Sequence, residues 1–69
     1  MTKLPSSEKV IKILVAKGFH FKSQKGSHQK YSNGKKVVIV PAPKKVIPLG
    51  TLRSISRQSG IDYSDFLNK

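Results

Sequence analysis

A chain of 69 residues without a cysteine must hold its fold with one small apolar core, because no disulfide framework can do it instead. At this size folding buries only about 60% of the surface that the unfolded chain exposes, so the stability margin is narrow. A partner protein or an oligomer is the staple left open. The missing thiols also remove the soft ligands of a structural zinc site. His20 and His28, with three acidic residues, make a poor metal cage, and no cofactor is expected. We expect one domain over residues 1–69.

Charge narrows the partners. Fourteen Lys and Arg face only Glu8, Asp62 and Asp65, a formal net charge of +11. Such an imbalance opposes compaction by self-repulsion and attracts polyanions over a long range. A membrane-surface helix would place bulky apolar residues opposite a basic face. Here the cations are spread over expected strands, loops and helices, which favours nucleic acid over a membrane. The longest apolar run, Val37–Val40, is far below the roughly 20 residues of a spanning helix. Met1-Thr2-Lys3-Leu4-Pro5 lacks the apolar stretch of a signal peptide, so a cytoplasmic location is expected.

The order of elements follows from periodicity and punctuation. Ser6 or Ser7 can cap a first helix over about 7–17, with Pro5 blocking its backward extension and Glu8 in its first turn. Val10, Ile11, Leu14 and Val15 form its apolar stripe, and Gly18 ends it. Alternation from Phe19 to Gln24 predicts a strand with Phe19 and Phe21 on one face and His20 and Lys22 on the other. A second strand over about 27–32 leads into Asn33-Gly34, a strong hairpin signal, and a third runs over 35–40 until Pro41 stops it. A two-residue turn at Asn33-Gly34 would set Ser32 opposite Lys35 and His28 opposite Ile39. Val37–Val40 is apolar on both faces and does not itself choose that register. A second helix is expected from Gly50 or Thr51 to Ser59, ended by Gly60, and Asp62 with Asp65 can start a short last helix over 63–67. The result is an α+β chain of order αβββα plus a terminal helical turn. Its three-stranded antiparallel sheet carries both helices on one face and leaves the other open.

Most of the chemistry lies in Gln24-Lys25-Gly26-Ser27-His28-Gln29-Lys30-Tyr31. Gly26 has no Cβ, so a phosphate can approach its backbone, and Ser27 adds a hydroxyl donor. Lys25 and Lys30 supply charge on either side. The imidazole of His28 can move a proton to or from an oxygen beside that phosphate. Cleaving RNA requires removing the 2′-hydroxyl proton, stabilising the crowded phosphate and protonating the leaving oxygen. DNA has no 2′-hydroxyl, which ties such a site to RNA. From residue type alone, a strand histidine such as His28 is more often a packing or hydrogen-bonding residue than a catalyst, and Tyr31 is expected in the core.

This segment, followed by Val37-Val38-Ile39-Val40-Pro41 and Gly50-Thr51-Leu52-Arg53-Ser54-Ile55, resembles the HicA family of toxins. The similarity extends from the first helix, through Gly18-Phe19, to Gln58-Ser59-Gly60-Ile61 and Phe66. The resemblance implies a fold like the double-stranded RNA-binding domain, cleavage of mRNA and neutralisation by a HicB-type antitoxin. The catalytic histidine of the family's Gly-Ser-His motif falls on His28. The family often carries another histidine shortly after the proline that closes the last strand. Here Pro41-Ala42-Pro43-Lys44-Lys45 has none, so the second proton transfer falls to water, to Lys25 or Lys30, or to nothing.

The other cations sort by position. Lys22 is an RNA contact candidate on the first strand. Lys44 and Lys45 precede the second helix, whose N-terminal N–H groups would favour the same phosphates. Arg53 and Arg57, at i and i+4, can extend the patch or form a merely solvated face. Two other readings remain open. One is a non-catalytic double-stranded-RNA-binding module of the same fold. The other is a helix-turn-helix DNA-binding domain over 52–66, with Gly60-Ile61 at its turn and Lys69 the sole basic side chain after it. The oligomeric state is not fixed by sequence.

Overall fold

The structure is a computed structural model that describes residues 3–67. Met1-Thr2 and Lys69, the basic side chain of the DNA-binding reading, lie outside those residues.

Helix α1 spans Ser7–Ala16. The Ser6 side chain accepts from the Lys9 N–H at 3.1 Å, so Ser6 is the cap, and Glu8 occupies the first turn. The buried stripe is Ser7, Val10 and Leu14. Val15, expected on that stripe, is 51% exposed. It lies one position beyond Leu14, about 100° further round the helix, and so faces solvent. Gly18 takes φ +94°, which turns the chain so that the Phe19 N–H reaches the Leu14 carbonyl at 2.9 Å and the Phe19 ring enters the core.

Strands β1 (His20–Lys25), β2 (His28–Ser32) and β3 (Val37–Pro41) form one antiparallel sheet in that order. Lys25 pairs with His28, leaving Gly26-Ser27 as a two-residue turn. Only its first residue has positive φ (Gly26, +59°), the pattern of a type II′ turn.

The second hairpin differs from expectation. Ser32 pairs with Val37 and His28 with Pro41, so residues 33–36 form a four-residue loop. A type I′ turn needs positive φ at both central residues, and here only Gly34 has it. Asn33 instead folds its side chain over the loop, where Oδ1 accepts from Lys35 N–H at 2.9 Å and from Lys36 N–H at 2.7 Å. The register also sets the buried Tyr31 opposite Val38, where the expected one would have set it opposite Lys36. The displacement is by an even number of residues, so every side chain keeps its face. Pro41 is the last residue of β3, and the Ala42 N–H still bonds the Ser27 carbonyl at 2.7 Å.

Helix α2 spans Leu49–Ser59, starting one residue earlier than expected behind Pro48 and ending at Gly60 with φ +76°. A four-residue 3₁₀ turn, Tyr63–Phe66, follows, with Asp62 accepting from the Ser64 N–H at 3.1 Å. Val10, Leu14, Leu52, Ile55 and Phe66 meet Tyr31, Val38 and Val40 in one core. Both helices therefore cover the same face of the sheet, and the architecture is α+β with the order αβββα. Among the described residues no helix is long and apolar enough to cross a membrane.

Candidate functional site

The pairing places the candidate side chains. Tyr31, Val38 and Val40 face the helices, so their strand neighbours Lys30, Ile39 and Pro41 face the other way. His28 belongs to this open face. It is the first residue of β2, exposed, and stands between Lys25 on β1 and Pro41 on β3. Lys30, two residues along the same strand, is exposed on the same side. Cross-strand Cα atoms lie about 4.5–5.5 Å apart and residues i and i+2 about 6.6 Å apart, so both ammonium groups can reach a phosphate held at His28. Glu8 lies on α1, Asp62 caps the 3₁₀ turn and Asp65 lies within it, so no strand residue is a carboxylate that could offset the sheet's cations.

The Gly26-Ser27 turn borders this row. No heavy atom lies within 4 Å of where a Gly26 Cβ would stand, so the backbone is open to an approaching group. Gln24, at the start of that segment but given no role by the sequence, donates from Nε2 to the Gly26 carbonyl at 2.9 Å and braces the turn. Its position two residues before a turn glycine was the available signal. The Ser27 carbonyl is held by Ala42 from beyond β3. Ligand approach to the turn therefore meets a backbone anchored from both flanks.

The remaining candidates divide. Lys22 is exposed at a bulge of β1, between the paired Phe21 and Ser23. Lys44 and Lys45 do not abut the start of α2, because Val46, the buried Ile47 and Pro48 intervene. Lys44 is fastened instead to the start of α1: its carbonyl accepts from the Ser7 N–H and its N–H donates to Ser7 Oγ, each at 2.9 Å. The helix end beside the lysine pair is thus that of α1, which already has Ser6 as cap and Glu8 as counter-charge. Lys44 remains three residues from Pro41, which is opposite His28, so a span of about 10 Å of chain at most separates them. Arg53 and Arg57 are exposed on α2, in the layer behind the sheet, and the Arg53 guanidinium lies 5.8 Å from the Tyr63 ring centroid. They do not join the His28 row.

His20 is exposed on the open face opposite Ser32, four residues from His28 along β2. That is about 13 Å of strand, so the two imidazoles do not form a catalytic pair. Among the described residues the segment after Gly60-Ile61 is one 3₁₀ turn whose Phe66 is fully buried, which is not the exposed reading helix that the helix-turn-helix alternative needs.

The model of one protein family, described as the HicA toxin of bacterial toxin-antitoxin, matches residues 7–61, from the first residue of α1 to the buried Ile61. This chain belongs to the HicA toxin family. HicA toxins are paired with a HicB antitoxin, so membership makes the chain the toxin half of such a pair. No curated protein matches the chain. The matched span of this HicA toxin includes all three strands, His28 among them, and the whole Gly26-Ser27 turn.

Proposed function

We propose that this HicA toxin is an endoribonuclease that cleaves mRNA in the cytoplasm with His28 as its general acid or base. The observation that carries the reading is an exposed imidazole beside an open glycine turn, between Lys25 and Lys30, on a sheet face without carboxylates. In the simplest sequence neutral His28 takes the proton of a ribose 2′-hydroxyl, and the oxygen attacks the adjacent phosphorus. The bond from phosphorus to the 5′-oxygen breaks, and that oxygen takes a proton from water or from one of the two lysine ammonium groups. Lys25, Lys30 and the Gly26-Ser27 backbone offset the extra negative charge of the five-coordinate phosphate. Lys22, Lys44 and Lys45 hold neighbouring phosphates, and Arg53 and Arg57 contribute only where RNA wraps to the helical layer. Single-stranded RNA and DNA of one sequence, incubated with the full chain, test the chemistry. Both are expected to bind, and only the RNA is cut, leaving a cyclic phosphate. Cutting of the DNA would overturn the 2′-hydroxyl route.

A second reading, an RNA-binding module without catalysis, rests on one observation: His20, the other imidazole, is too far from His28 to share the proton transfers. It is distinguished by RNA that binds yet stays intact at every pH.

A further inference from the structure

The two edges of the sheet are not alike. At the β3 edge, the outward Ile39 N–H donates to Gln58 Oε1 at 3.0 Å, and Gln58 is fixed in turn by its own bond to Ser54 Oγ at 3.0 Å. Outward amides alternate along a strand, so the next outward position is Pro41, which has no N–H. From Ile39 to Pro41 that edge offers no free N–H to another strand. The β1 edge is different: β1 is the outermost strand and all six of its residues are exposed. Unsatisfied backbone along such an edge is a template for strand addition.

Side chains on β1 select what can pair there. Phe21 is 55% exposed while its ring meets Tyr31 edge-on, with centroids 5.8 Å apart. It offers apolar surface at the rim of the core. Lys22 bulges from the same edge, and Lys25 ends it. A second copy pairing here would bring its own Lys22 and Lys25 against these, on molecules that each carry +11. Like charges across a pair are destabilising, so the lysines exclude self-pairing and admit an acidic strand.

We infer that the outer edge of β1 docks an acidic, extended strand of the antitoxin, with an apolar side chain of that strand against Phe21. The inference rests on the toxin–antitoxin pairing and is separate from the chemistry of His28. It places the partner's anchor on the rim, from which the partner can extend over the open face toward Lys25 and His28.

Amide hydrogen exchange on the full chain, alone and with its HicB antitoxin, tests this. The β1 amides that point away from β2 are expected to slow at least about tenfold in the complex, as newly bonded edge amides do. Phe21→Lys is expected to raise the antitoxin Kd at least about tenfold, with RNA cleavage retained. Unchanged β1 exchange in the complex would overturn the docking. So would β1 protection that needs only a higher concentration of the chain itself, or only RNA. Protection of β1 in a chain that never cuts RNA would support the docking and sink the nuclease reading, whereas cleavage with β1 unprotected would do the reverse.

Discussion

Gly26 carries a backbone demand, since the turn needs its φ of +59°, and no atom lies within 4 Å of where its Cβ would stand. The turn was legible, because Gly26 falls between the ends of two expected strands. The Gln24 bond to the Gly26 carbonyl was not, since a glutamine on an alternating strand has no fixed partner until the turn closes. Tyr31 shows the opposite case. Its core role was legible from the strand pattern, and its hydroxyl finds Gln29 Oε1 at 2.8 Å. Burial raises the Tyr31 phenol above its ordinary value of 10.0 by desolvating the phenolate. The folded chain therefore keeps that proton at pH values where the unfolded chain has lost it. The associated stability is intact below about pH 10 and is lost as pH rises through the folded-state value. Denaturation across pH 8–12 is expected to show the parent losing stability above about pH 10 more steeply than Tyr31→Phe. Parallel profiles would show that the phenol is not the titrating group.

Elements were legible where periodicity and punctuation agree. Ser6, Gly18 and Gly60 mark helix ends, and alternation marks β1. Register was not legible, because β3 is apolar at Val37, Val38, Ile39 and Val40, so a shift of two residues still sets apolar side chains on both faces. It was settled by Asn33, which builds a four-residue loop, and by the tertiary gain of placing Tyr31 against Val38. Edge protection lies at the same scale. Gln58 and Ile39 are 19 residues apart in sequence, and nothing local joins them. Gln58→Ala leaves the Ile39 N–H without that acceptor and is expected to cost about 1–2 kcal/mol, with faster exchange at the Ile39 amide. An unaltered Ile39 exchange rate would show that the bond does not close the edge in solution.

At the scale of the molecule, a net charge of +11 was plain, but its layout was not. Sequence adjacency suggested that Lys44-Lys45 serve α2, whereas Ser7 ties Lys44 to the start of α1. Helical spacing grouped Arg53 with Arg57, which the fold then set behind the sheet. Lys25 and Lys30 are the cations that the strands bring to His28. If both contact phosphate, replacing the pair by alanine should flatten the plot of log binding constant against log salt by about 1.4 for single-stranded RNA. An unchanged slope would remove them from the interface. Catalysis at His28 is tested most directly by cutting one RNA with the parent chain and with His28→Ala, measuring binding alongside. The variant is expected to cleave about 10²–10⁴-fold more slowly while still binding the RNA. Cleavage at the parent rate by His28→Ala would contradict the assignment.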